Sequence, residues 1–427
     1  MLVTNAVLPD GTEAAVRVDG ETIADVGDIS PRDGEDVLDA DGDRLFPGMV
    51  DVHVHFREPG YSHKETWTSG SRSAAAGGVT TVVDQPNTDP ATTTGEAFDQ
   101  KASFTAPSCV DWGINGGVTP DWDPDSLFDR PLFALGEVFL ADSTGDMGIE
   151  ADLFEDALAR ATDEGVTVTV HAEDADLFDE SALGRDGDDH EAWSAYRTTD
   201  AEIAAVERAC EVADEAGARI HVAHTSTPEA VEVASEAGMT TEVTPHHLFL
   251  SREDYDRLGT YGRMNPPLRS KARREALFGR LVDGTVDMVA TDHAPHTRQE
   301  KDAGIWDAPS GVPGVETALP LLLTAAADDA NDLTYERVRD VTAANPAERF
   351  GLSRKGRIEP GRDADLVLVD PDSTTPVHGP RLHSKCGWSP FETFEGVFPE
   401  WTMLRGEMVY IDGEFREGVG RNVRAAE

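Results

Sequence analysis

From residue 49 onward, short apolar runs alternate with longer stretches whose apolar positions recur every three or four residues, the pattern of β-strands each followed by a helix. The pattern predicts eight strands, at 49–56, 80–87, 110–118, 132–140, 167–173, 219–226, 240–247 and 286–295. Stretches 149–164 and 198–216 have helical spacing with acidic outer faces, and Gly165 and Gly217 stand where those helices would stop. Eight βα units in about 250 residues predict an α/β chain with a (β/α)8 barrel over residues 49–350. An open doubly wound sheet is the alternative, but no glycine-rich phosphate loop follows the first strand.

The two ends read differently. Short β-like pieces occur at 14–18, 22–26 and 44–46, and β signals return at 365–369 and 403–411. Either end alone is too small to bury a hydrophobic face. They are therefore expected to pair into one small β-sandwich domain built from 1–48 and 351–427.

Composition changes the picture in one respect. Of 427 residues, 82 are Asp or Glu and 36 are Lys or Arg, a formal charge of -46. Acidity can signal disorder, but 39% hydrophobic residues in regular runs indicate a folded chain. Only six of the basic residues are lysines. An acidic, lysine-poor surface suits a salt-rich cytoplasm whose ions screen self-repulsion. It argues against a nucleic-acid partner, because the field repels phosphates. Cys109, Cys210 and Cys386 lack CxxC spacing, which fits a reducing compartment. The longest apolar stretch, 318–327, is far short of the ~20 residues a membrane span needs, and no signal-peptide pattern opens the chain. These features lead to the expectation of a cytoplasmic protein without membrane contact.

Candidate chemistry lies at the strand ends. His53 and His55 stand two apart on the first strand, so their imidazoles share a face and converge as zinc requires. Two packed or surface histidines would look the same. His171, His224 and Asp292 each close a later run, at the C-terminal ends where barrels carry functional groups. His221 and His224 are an odd number of residues apart, so strand alternation lets only one face inward. His224, nearer the C-terminal end, is the candidate ligand, and His221 a packed or supporting histidine. His246 and His247 also point both ways, and neither is assigned to metal. Four histidines and an aspartate exceed the needs of one tetrahedral ion and suggest two ions sharing an anionic bridge. Glu137 is the only acid on the fourth strand and is the expected bridge; Asp142, beyond its end, is expected to take no part.

Residues 51–60 (DVHVHFREPG), 85–88 (QPNT), 242–248 (EVTPHHL), 264–268 (MNPPL), 290–296 (ATDHAPH), 311–317 (GVPGVET) and 361–367 (GRDADLV) together are specific. Over nearly its whole length the chain resembles the dihydroorotases of the cyclic amidohydrolase superfamily. The resemblance implies a binuclear zinc centre, with His53, His55 and Asp292 around one ion and His171 and His224 around the other. Many relatives bridge the metals with a carboxylated lysine and some with an acid. No lysine stands between Lys101 and Lys271, which leaves the bridge to Glu137 on a shorter arm. Asp292 is expected to move the proton between attacking water and leaving ring nitrogen.

The resemblance also assigns the substrate carboxylate to Arg57, Asn87 and His296, and the ring amides to Asn265, Ser310 and Gly311. Without it, Arg57 could be a surface ion pair with Glu58 or Glu65, and Asn87 a turn residue. The implied activity is reversible closure of N-carbamoyl-L-aspartate to L-dihydroorotate in pyrimidine biosynthesis. Alternatives are an allantoinase, whose family commonly lacks an arginine at the place of Arg57, or a dihydropyrimidinase-like hydrolase, commonly without a histidine at that of His296. A different class, an inactive scaffold for aspartate transcarbamoylase, is disfavoured by the retained ligand set. A homodimer and a complex with that transcarbamoylase stay open.

Overall fold

The computed structural model describes residues 1–140 and 147–425, so Asp142 lies outside the described residues. Among the described residues, eight parallel strands match the eight predicted runs, seven of them inside their run and the second starting one residue before it: β1 (Met49–Val54), β2 (Val79–Asp84), β3 (Asp111–Ile114), β4 (Leu135–Phe139), β5 (Val168–His171), β6 (Ile220–Val222), β7 (Thr240–Val243) and β8 (Met288–Val289). Ladders run continuously through β1–β2–β3 and through β4 to β8. Short bridges join the two runs at both seams, Gly116 with Leu135 and Val54 with His293, where His55 N–H donates to His293 O at 2.8 Å. The strands thus follow one another around a barrel with two thin seams.

The helices form where the spacing predicts. Thr199–Glu215 starts at Thr198, whose hydroxyl accepts from Ala201 N–H, and buries Ala201, Ala205, Val206, Ala209, Cys210 and Ala213 at helical intervals. Ala151–Glu164 stops at Gly165, which adopts a left-handed φ of 69° that costs glycine nothing. The barrel floor is filled by Val50, Val52, Val83, Phe133, Met288 and Ala290, closed from below by Ala347, Phe350 and Leu352. Functional groups are thereby confined to the opposite mouth. Among the described residues no helix is long and apolar enough to cross a membrane.

The two chain ends meet. Arg44–Pro47 pairs antiparallel with Leu366–Val369, setting Leu366 against Pro47 and Val369 against Arg44, within a nine-stranded sheet. Leu366 and Leu368 enter a core with Val3, Val16, Ile23, Trp401 and Met403, whereas Val367 and Val369 join the cluster around the barrel. A strand buried on both faces has to be apolar throughout, which accounts for the unbroken Leu-Val-Leu-Val. Each such side chain is worth about 1.5–3 kcal/mol of burial. Lys355 ties the two regions together, with Nζ at 2.6 Å from both Asp111 and Asp365.

The C-terminal segment departs from the sequence assignment of 351–427 to the flanking domain. Val377, Trp388 and Phe391 pack on Leu250, Leu268 and Val312 of the barrel, and Trp388 Nε1–H donates to His296 O at 2.8 Å. This stretch has no periodicity of its own; its aromatic side chains are buried only by running back over the barrel mouth.

Candidate metal centre

β1 carries His53 and, just past its end, His55; β4 carries Glu137 and β5 ends on His171. Arg57, His224 and Asp292 lie beyond their strands with φ of 67°, 32° and 43°, a region uncommon for residues bearing a Cβ. Gly136, before Glu137, has φ 137°, and a Cβ there would come within 2.4 Å of Thr169 O, so β4 reaches β5 only with glycine at this position.

The side chains converge. His55 Nε2 is 3.0 Å and His53 Nε2 3.6 Å from Asp292 Oδ1. Glu137 Oε1 is 2.8 Å from His171 Nδ1 and 2.5 Å from His224 Nε2, while its Oε2 is 3.4 Å from His53 Nε2. Glu137 therefore spans the two histidine groups. Among the described residues, two sets have donor atoms close enough to hold an ion, His53 with His55 and Asp292, and His53 with Glu137 and His224. The donors fit a divalent cation. His53 Nε2 is buried with no hydrogen-bond partner while its Nδ1–H donates to Glu242, so the unpaired nitrogen faces the carboxylates of Glu137 and Asp292. A buried nitrogen left unpaired costs about 1–3 kcal/mol, which a cation on the lone pair would remove.

The charges agree. Burial disfavours a positive His53, but Glu242 and Glu137 outweigh it and raise the ring well above its ordinary value. Burial is likewise overcome at His171, raised to about 9 by Glu137 and Glu173. Glu137 would be pushed up by burial, yet His224 and His53 hold it well below the usual carboxylate range. Groups that draw protons into a dry site draw metal cations by the same attraction.

Around the centre, one cavity is lined by every candidate residue except His53, buried beneath it, and His296: His55, Arg57, Asn87, Glu137, His171, His224, Asn265, Asp292, Ser310 and Gly311, with Phe139 and Ala294 as apolar walls. Arg57 is not a surface ion pair: it is 5% exposed and lies 3.2 Å from His296 Nε2. Asn87 does more than form a turn, since its Oδ1 accepts from His55 Nδ1–H at 2.7 Å, which turns His55 Nε2 toward Asp292. Asn265 Oδ1 accepts from Trp193 Nε1–H and Ser310 Oγ–H, both at 3.1 Å. Gly311 has φ 129°, and a Cβ would come within 2.5 Å of Ala294 O.

The alternation argument on β6 fails. The strand ends at Val222, so His224 is free of the pleat and both imidazoles reach the interior, His224 on Glu137 and His221 with Nε2 3.0 Å from Glu242. Sequence reasoning also passed over three supporting residues. Glu242 accepts from His53 Nδ1–H at 2.6 Å, Glu173 lies 2.9 Å from His171 Nε2 and is held by Arg197, and Lys64 lies 3.2 Å from His296 Nδ1. Glu173 had a signal, because it stands two residues after His171 on the same side of the chain.

Residues 44–409 match the amidohydrolase family. The chain belongs to that family. It is 66% identical over 425 residues to the dihydroorotase of Halobacterium salinarum, covering 99% of each chain. It is 44% identical to that of Methanosarcina acetivorans, over 96% of this chain and 92% of the relative. In three dimensions it resembles the L-hydantoinase (dihydropyrimidinase) from Arthrobacter aurescens, with a TM-score of 0.92, 30% identity and 98% of each chain covered. The barrel with a flanking β domain is the architecture of these amidohydrolases, and the family implies a metal cofactor.

Proposed function

We propose that this cavity carries out the reaction of the dihydroorotase relatives, reversible hydrolysis of L-dihydroorotate to N-carbamoyl-L-aspartate. The chain is a cyclic amidohydrolase acting on a small molecule, and its dihydroorotase activity follows from 66% identity over 99% of its length. The single observation in the site that supports this substrate is the pairing of Arg57 with His296 beside the metal-ligand set. A forked cation and an imidazole donor match the carboxylate that distinguishes dihydroorotate from dihydrouracil.

The residues divide the work. His53, His55 and Asp292 would hold one zinc ion, His171 and His224 the other, and Glu137 would bridge them. Bound there, the cations would polarise the scissile carbonyl and make hydroxide available near neutral pH. Burial raises Asp292, but its hydrogen bond with His55 and the nearby His53 bring it below its ordinary value, so it is ionised and able to accept a proton. It takes the proton of the attacking water and delivers it to the leaving ring nitrogen; ring closure reverses both transfers with the same group. Arg57, Asn87 and His296 orient the carboxylate, and Asn265, Ser310 and Gly311 face the ring amides. The barrel of 49–350 supplies the centre, with 1–48 and part of 351–427 as the flanking domain. Buried thiols at Cys109, Cys210 and Cys386 fit a cytoplasmic setting.

Turnover of dihydroorotate by the metal-loaded protein in concentrated KCl tests the reading. Activity on dihydroorotate in preference to allantoin and dihydrouracil is expected; the reverse order would refute the substrate.

A further inference from the structure

His296 sits between two cations. Its Nε2–H donates to Ser310 O at 2.9 Å with Arg57 Nη2 at 3.2 Å, and its Nδ1 faces Lys64 Nζ at 3.2 Å. Both cations can only donate, so Lys64 favours a bare Nδ1 and Arg57 a bare Nε2; the Ser310 carbonyl, an acceptor only and the shortest contact at 2.9 Å, places the proton on Nε2 and leaves Nδ1 bare. Lys64 is held in place from its other side: Nζ is 3.2 Å from Glu300 Oε1, and Glu300 is anchored by its other oxygen to Thr297 N–H at 2.9 Å and Thr297 Oγ–H at 2.8 Å. The lysine side chain is only 14% exposed, on the loop that leads from Arg57 to the helix Trp67–Ala76. Burial, with Arg57 and Lys64 alongside, keeps the imidazole neutral, well below its ordinary titration range. A neutral ring has one proton to place, and which nitrogen receives it decides whether the edge beside Arg57 gives or accepts a hydrogen bond.

We propose that Lys64 is a positioning residue for substrate selection: by donating to His296 Nδ1 it keeps the ring proton on Nε2, the edge that meets the substrate carboxylate beside Arg57. In the free protein the Ser310 carbonyl takes that hydrogen bond, and the incoming carboxylate, a stronger acceptor, replaces it. Without Lys64 the proton can move to Nδ1. Nε2 then accepts from Arg57, which occupies part of the guanidinium, and turns a lone pair toward the anion. The loss falls on carboxylate binding and leaves the metal ligands untouched. The inference rests on the assignment of the dihydroorotate carboxylate to Arg57 and His296.

The test is nitrogen NMR of zinc-loaded protein with isotope-labelled histidine, the His296 signals being assigned by their loss in His296→Gln. Wild type should show a protonated Nε2 and a bare Nδ1. Lys64→Met should move the proton to Nδ1, and Lys64→Arg, which keeps a cationic donor, should leave it on Nε2. Steady-state kinetics on dihydroorotate should show KM raised about ten- to a hundredfold in Lys64→Met with kcat nearly kept, the loss of one charged hydrogen bond. A proton on Nδ1 in the wild type, an unchanged tautomer in Lys64→Met, or a fall in kcat at constant KM would overturn the proposal. A wild type that shows the expected tautomer but does not turn over dihydroorotate would refute the substrate reading instead.

Discussion

His53 donates its Nδ1–H to Glu242 at 2.6 Å, and the other oxygen of the same carboxylate lies 3.0 Å from His221. The acid also accepts from His224 N–H at 3.2 Å, so one β7 side chain orients the proposed ligand His53 on β1 and fixes the backbone of a second proposed ligand, His224, beyond β6. Glu242→Gln keeps the shape but removes the charge that aligns the ring. Metal affinity should fall about ten- to a hundredfold, as for other groups that orient a ligand from behind. Competition with a chelator measures it, and an unchanged affinity would mean that strand geometry alone orients His53.

Arg57→Lys should keep the metals and lose substrate. A lysine cannot reproduce the planar fork, and one charged hydrogen bond left unmade costs about 1.5–3 kcal/mol, or roughly ten- to a hundredfold in kcat/KM. Elemental analysis and kinetics together decide this. Unchanged kcat/KM would remove Arg57 from the carboxylate site.

On the proposed ligand assignment, protons and metal would compete for the same rings. His171 is raised from 6.5 to about 9, so in chelator-stripped protein its contribution to stability is fully present below 6.5 and is lost as the pH rises through about 9. His53 is raised in the same sense. Stripped protein should therefore lose melting temperature relative to zinc-loaded protein between those pH values, and zinc binding should release protons and weaken toward acid. Thermal scans across that window, with and without zinc, check the sign. A gap between the two forms that narrows as pH rises would contradict it.

Much of this candidate site is legible in the sequence because its proposed ligands stand at or just past the ends of apolar-rich runs. His53 stands one residue before the end of β1 and His171 ends β5, both in strands that are buried throughout and rich in valine, so an imidazole there is conspicuous. Glu242 was less visible, since Thr-Thr-Glu-Val reads as an ordinary half-polar strand until the barrel places the acid against His53. Strand parity selects His224 as the candidate ligand and leaves His221 a packed or supporting place, which agrees with the contacts, but its premise that only one ring faces inward fails because it assumes the pleat continues, whereas β6 has three residues. The path of 377–400 over the mouth had no periodic signal at all; it is set by where Trp388 and Phe391 can be buried.

The central claim is that Glu137 takes the place of a carboxylated lysine and bridges two ions, so the most direct measurement is zinc per chain in wild type and Glu137→Ala, read beside dihydroorotate hydrolysis with and without bicarbonate. The account predicts two zinc ions in the wild type and no stimulation by bicarbonate. Glu137→Ala should lose at least one zinc and nearly all activity, because two cations would otherwise face each other across a missing negative charge. Glu137→Ala retaining both ions and its activity would contradict it.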